Sequence, residues 1–232
     1  MRTVKMGNPT QGLLYVASRI RSLARISPDV YNAWYDEIHV PHVLETPGIK
    51  QAFRYESTAT SLDSTPWPFL ALYPIQDIQV FNTEEFTSIP LCSDALPGPT
   101  HSCLDIAEFD NRRYRLVGKI QDADTYIPIG SKSHLLLVEF DLPSQIDGSD
   151  DQATLDWFSD IYSGNVYQWV SIYKIFWSSL YKDEQLADLP AYLALLQLNG
   201  DKNTYQQASQ ELQELQFAAK VDQWKLRRAF HC

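Results

Sequence analysis

The chain lacks the cysteine patterns of metal and disulfide scaffolds. Its 232 residues include three cysteines, Cys92, Cys103 and Cys232. That is an odd number with no CxxC spacing, so neither a structural zinc site nor a disulfide framework is expected. Free thiols in a reducing compartment are expected instead. Positive charge is also scarce. Lys and Arg number 19 against 29 Asp and Glu, a net charge of -10, which argues against nucleic acid or an anionic membrane as partner. The one cluster of cations, Arg112, Arg113 and Arg115, reads as a solvated strand face beside Asp110. No run approaches the roughly 20 apolar residues that span a bilayer. The opening residues carry no signal-peptide core, and Cys232 stands outside any lipidation motif. A soluble, cytoplasmic protein is the expectation. GxGxxG, P-loop and GxSxG motifs are missing, which removes support for nucleotide cofactors and nucleophile-elbow hydrolysis. No cofactor and no metal are expected.

What the chain does have is core-forming material and an internal repeat. Hydrophobic residues make up 44% and charged residues 21%, enough apolar content for a globular core. Gly12 to Arg21 reads as a strand. Ser27-Pro28-Asp29 opens a helix, with Ser27 as N-cap and Pro28 at the first position. Tyr31, Trp34, Tyr35 and Ile38 form its apolar stripe. Pro41 and then Pro47-Gly48 are expected to end it. Strands follow at Ile49 to Thr58 and Pro68 to Ile75, then a short helix near Thr83 to Ile89 and a long strand within Leu104 to Ile120. The order is β-α-β-β-α-β, the ferredoxin-like unit. It recurs as a strand at His134 to Leu142, a helix at Asp151 to Tyr162, strands at Tyr167 to Leu180 and Ala191 to Leu198, a helix at Thr204 to Leu215 and a strand at Gln216 to Phe230.

Self-comparison supports a duplication. WYDEI at Trp34 to Ile38 matches WFSDI at Trp157 to Ile161, and FLALYPI at Phe69 to Ile75 matches YLALLQL at Tyr192 to Leu198, both at one offset. IAEFDNRRYR at Ile106 to Arg115 resembles AAKVDQWKLR at Ala218 to Arg227 at a shorter shift, because Cys92 to Cys103 adds a loop. An α+β fold follows, in which two ferredoxin-like repeats form one intramolecular barrel and each buries its bare sheet face against the other. The halves are residues 1–121 and 134–232, with 122–133 as connector.

The segment WYDEIHVPHVLETPGIKQAFRYE, Trp34 to Glu56, resembles the EthD family of the dimeric α+β barrel superfamily. The resemblance rests on the pair Trp34-Tyr35, then Glu37, His39, Pro41 and the Pro47-Gly48 turn. It implies a barrel usually built from two chains, here fused into one. It also implies that His39 lines the cleft between helix and sheet, and that the activity is linked to secondary metabolism. The second half departs from the pattern. Tyr162 stands at the position of His39, Gly164 replaces Pro41, and no Pro-Gly turn follows. Chemistry that needs the imidazole is therefore confined to the first half, with the second mainly scaffold.

His39 is the candidate general acid or base, since imidazole titrates near neutral pH. On spacing alone it reads first as a structural helix-end histidine that caps carbonyls or bonds a neighbour; the resemblance brings the catalytic reading level with that one. His42 and Glu45 lie nearby, but the intervening Pro41 and the missing third ligand do not make a metal site. Tyr35, His42, Tyr55, Trp67, Phe69 and Tyr73 are the candidate substrate-binding residues. With Tyr15 and Phe53 they would furnish an apolar cleft holding a few hydroxyl donors. The expected activity is cofactor-independent chemistry on a hydrophobic, polyketide-like carbonyl compound: cyclisation, dehydration, decarboxylation or isomerisation. The alternative is a non-catalytic binding or stress-related protein of the same fold. The fused barrel could further pair as a homodimer.

Overall fold

The computed structural model describes residues 2–8, 10–59, 65–122, 133–161, 167–179, 188–198, 202–214 and 218–231. Among these, nine strands form one sheet. A short strand β1 (Arg2–Met6), not expected from the sequence, precedes β2 (Gly12–Ile20), β3 (Gln51–Ser57), β4 (Phe69–Ile75) and β5 (Ala107–Asp122). The second half contributes β6 (His134–Phe140), β7 (Tyr167–Ser178), β8 (Tyr192–Leu198) and β9 (Ala218–His231). The spatial order is β1-β5-β2-β4-β3-β9-β6-β8-β7, and β7 pairs back onto β5. Eight strands thus close a barrel, and β1 continues alongside the far end of β5. Each half has the ferredoxin-like order, and the halves join reciprocally through β3–β9 and β5–β7. Edges that either half would expose alone are paired by the other, so no open strand edge is left at the two seams. The expected connector and Tyr162 lie outside the described residues, apart from Asp122 and Ser133.

Strand alternation sorts the side chains into three layers. The barrel interior holds Leu13, Tyr15, Phe53, Tyr55, Leu137, Trp169 and Trp224 among others. On the outer face of the first half, Leu14, Val16, Ala52, Phe69, Ala71 and Tyr73 receive the first helix. On that of the second half, Val138, Phe140, Ile172 and Leu196 receive the helices Asp151–Ile161 and Lys202–Gln213. Each large apolar side chain so buried stabilises the fold by roughly 1.5–3 kcal/mol.

The same alternation corrects the reading of the arginine cluster. Arg112 turns into the barrel, where it donates to Asp110 Oδ2 at 2.7 Å and to Glu139 Oε2 at 2.9 Å. Arg115 clamps Asp151 at the start of the Asp151–Ile161 helix with two bonds of 2.6 and 2.7 Å. Arg113 alternates with Arg112 and faces the first helix layer. None of the three stands on a freely solvated face, because β5 is covered on both sides.

The first helix also differs from expectation at Pro41. Helix α1 (Pro28–Trp34) begins as the sequence implies, with Ser27 Oγ accepting from Val30 N at 3.3 Å and Pro28 in the first turn. Pro41 does not end the helix. The chain passes through a π-helical turn (Tyr35–His39) into α2 (Val40–Leu44) and stops only before Gly48, at φ 89°. A proline inside an α-helix lacks one donor and crowds the carbonyl four residues back. In the π turn the bonds span five residues, as in Val40 N donating to Tyr35 O, which carries the helix past Pro41. Such turns are frequent at functional sites.

Candidate functional site

The first helix and the sheet beneath it do not close completely. Between them lies a cavity of about 300 Å³. Leu14, Val16, Tyr73, Phe109, Asn111 and Arg113 rise from the strands, Tyr35, His39 and Val43 descend from the helix, and Trp177 comes from the second half. The segment between β4 and β5 closes the side with Phe86, Ile89, Leu91, Cys103 and Leu104. The volume falls at the small end of ligand sites, and the lining is the usual one of apolar walls with a few polar groups.

His39 is the titratable imidazole in this wall. Its ring stacks on Trp34 at 5.2 Å and 23°, and meets Tyr35 edge-on at 5.0 Å and 83°. Nδ1 is buried without a hydrogen-bond partner. Burial lowers the imidazole pKa to about 4; the Arg54 and His42 charges push the same way, and the Pro90 carbonyl opposes them. At neutral pH the ring is therefore uncharged. It is a proton acceptor of modest strength rather than a general acid.

Two phenols line the same cavity. Burial raises the pKa of Tyr35 and lifts that of Tyr73 well above the ordinary tyrosine value, so both remain neutral donors. The Tyr73 hydroxyl is buried without a well-formed hydrogen bond. Behind Tyr35 lies a fully buried Arg54, its guanidinium 3.7 Å from the ring centre. Arg54 pairs with Asp36 at 3.2 Å and donates to Asn32 Oδ1 at 2.7 Å. Arg227 of β9 reaches the same Asp36 at 3.0 Å. The π turn is thus tied to β3 and to the other half through one ion network.

Of the sequence-derived candidates, His39, Tyr35 and Tyr73 meet at the cavity. The others lie elsewhere. His42 is half-buried on α2, outside the lining. Tyr55 points into the barrel with a buried, unpartnered hydroxyl. Phe69 shares the outer face of β4 but packs on Tyr31 at 5.3 Å, beside a polar hollow with Arg19 and Glu108. Trp67 packs on the barrel interior under Arg19, 5.6 Å from its ring. The single aromatic cleft expected from Tyr15, Tyr35, Phe53, Tyr55, Trp67, Phe69 and Tyr73 is therefore divided. The period of two on β2 and β3 turns Tyr15, Phe53 and Tyr55 inward while β4 turns Tyr73 outward. The sequence reading did not place Asn111, Arg113 or Trp177 at the site. The first two were legible in principle, since they alternate with Asp110 and Arg112 and share the outward face of Phe109. Cys103 lines the wall as well, with burial pushing its thiol up to about 12, which makes it inert.

No protein-family model matches the chain. An anthrone oxidase-like protein of known structure superposes on it with a TM-score of 0.59 at 10% identity, over 99% of this chain and 96% of that one. The chain has the dimeric α+β barrel fold. Barrels of the same kind are a monooxygenase-like protein of Fusobacterium nucleatum (TM-score 0.51, 6% identity, 96% and 94% of the two chains) and a chlorite dismutase-like protein (0.51, 10%, 94% and 95%). In sequence, the barrel is similar to core atranone cluster protein 1 of Stachybotrys chlorohalonatus, with 31% identity over 113 residues. The match takes in 47% of this chain and 45% of that protein, so it spans under half of the relative's length. Among the described residues no helix is long and apolar enough to cross a membrane.

Proposed function

We propose that this barrel is a cofactor-independent enzyme of secondary metabolism, EthD-like in its first helix, in which His39 removes a proton beside the carbonyl of a flat, hydrophobic, polyketide-like substrate. The observation that carries the reading is an uncharged imidazole in the wall of an apolar cavity that two neutral phenols also line. The imidazole takes the proton, and the C–H electron pair moves into the carbonyl to give an enolate. Donation from Tyr35 or Tyr73 steadies the oxygen. The enolate then expels a β-hydroxyl, closes a ring or is reprotonated at another carbon, and the imidazolium returns its proton to the departing hydroxyl, to the newly formed alkoxide or to that carbon. A base of such low proton affinity suits acidic carbons, such as a methylene between two carbonyls or one between two aromatic rings that conjugate it with a ketone. The atranone-cluster relative supports a place in secondary metabolism.

A second reading, a carrier that binds such a compound without converting it, is favoured by that same low proton affinity. Deuterium exchange separates the two. Anthrone dissolved in deuterated buffer should lose its methylene protons faster with the protein present. His39→Ala, with an unchanged circular dichroism spectrum, should lower the catalysed rate by about 10²–10⁴-fold. Equal rates for wild type and variant would leave only the carrier.

A further inference from the structure

Arg113 is a cation with no assigned partner. Its guanidinium carbon lies 4.1 Å from the ring centre of Trp177, 4.8 Å from Phe81 and 5.3 Å from Phe86. The other buried or half-buried arginines of the barrel each meet an acid: Arg54 meets Asp36, Arg112 meets Asp110 and Glu139, and Arg115 meets Asp151. No carboxylate among the described residues lies within 4.0 Å of Arg113. Its Nε is buried without an acceptor. Desolvation lowers its pKa with no acid opposing it. Two residues back on the same face, the Asn111 Oδ1 is also buried without a donor. The Asn111 backbone is fixed separately, its N–H donating to Ser179 Oγ at 3.0 Å. Both side chains line the cavity that holds His39.

A desolvated guanidinium without a counter-charge is unfavourable, and aromatic packing offsets only part of that cost. An anionic oxygen entering the cavity would offset the rest, and the planar fork of Arg suits a carboxylate or phenolate better than a point charge does. We infer that Arg113 and Asn111 form an acid-recognition subsite: Arg113 binds an anionic oxygen on an aromatic ring of the ligand, and Asn111 Oδ1 accepts from a hydroxyl beside it. The ligand class is then a flat aromatic acid or acidic phenol with an adjacent hydroxyl, held by its charged edge. This deepens the proposed function by naming the substrate's chemistry, and it rests on that reading for the site's purpose.

The test uses the full chain and two probes differing in charge, anthraquinone-2-carboxylate and anthraquinone-2-carboxamide, with binding followed by calorimetry at neutral pH. The carboxylate should bind at least about 10-fold more tightly than the amide. Arg113→Gln should erase the preference while leaving amide affinity in place, and Arg113→Lys should retain part of it. Equal affinity of the two probes for wild type, binding of neither, or a preference that survives Arg113→Gln overturns the subsite. If the variants do not fold, the wild-type comparison still decides. His39→Ala should keep the preference. Loss of His39-dependent exchange with the preference intact therefore rejects the enzyme reading alone, and the reverse result rejects the subsite alone.

Discussion

The two halves of the barrel bury their outer faces in different ways. The sequence repeat aligns Tyr35 with Phe158 and Tyr73 with Leu196, so each phenol near the cavity corresponds to a hydrocarbon in the second half. There Phe158 and Leu196 are fully buried in an apolar layer. The hydroxyls that remain are held by backbone: Tyr192 donates to Gly148 O at 3.1 Å, and Tyr205 donates to Leu198 O at 3.2 Å while accepting from Leu198 N at 3.0 Å. In the first half the Tyr73 hydroxyl, Asn111 Oδ1, Arg113 Nε and His39 Nδ1 are all buried without partners. Buried polar groups are almost always satisfied in native proteins. Four around one cavity mark a surface built to meet a ligand, while the satisfied layer serves stability. Divergence of the two copies at these aligned positions accounts for that division.

The comparison breaks most readily at the buried ion network of the first layer, since the second layer's pair, Arg115 with Asp151, is partly exposed. Arg54→Met leaves Asp36, 4% exposed, facing an apolar side chain with only Arg227 in support. Removing one partner of a buried pair costs about 3–5 kcal/mol, so the urea midpoint should fall sharply and ligand binding with it. An unchanged midpoint would mean that the network does not hold the π turn. A smaller effect sharpens the contrast between layers. Tyr205→Phe removes a hydroxyl that bonds backbone on both sides and should cost about 1–2 kcal/mol. Tyr73→Phe removes one held only loosely, against the Tyr35 hydroxyl, and should cost no more than about 0.5 kcal/mol, while slowing deuterium exchange into anthrone. Similar losses for both tyrosines in denaturant titrations would contradict the functional reading of the first layer.

Much of this architecture was legible because its signals are local. Ser27-Pro28 marked the start of the first helix, the alternation in FLALYPI marked β4, and the repeated offsets marked the duplication. The existence of a candidate site was legible at His39 and Tyr35, four residues apart on one helix. Its composition was not. Which face of a strand meets the helix depends on the barrel closing, and that closure sent Tyr55 inward and brought Trp177 across from the other half. Pro41 misled for a similar reason. The proline rule concerns an isolated α-helix, and packing by Val40 and Val43 on both sides of Pro41 sustains the helix through a π turn. Arg113 was misread because a cation on a strand suggests water until the strand is known to be covered on both faces.

The central claim is that His39 stands uncharged in a desolvated wall, and a nuclear magnetic resonance titration of its imidazole tests that most directly. Because its folded pKa is depressed below the unfolded value, the unfolded chain binds this proton more readily, so stability should fall as pH drops from about 6.5 towards 4, by on the order of 3 kcal/mol. His39→Phe should flatten that part of the curve. The account predicts a midpoint near 4 for the ring in the ligand-free barrel. A midpoint near 6.5, that of an exposed histidine, would contradict it.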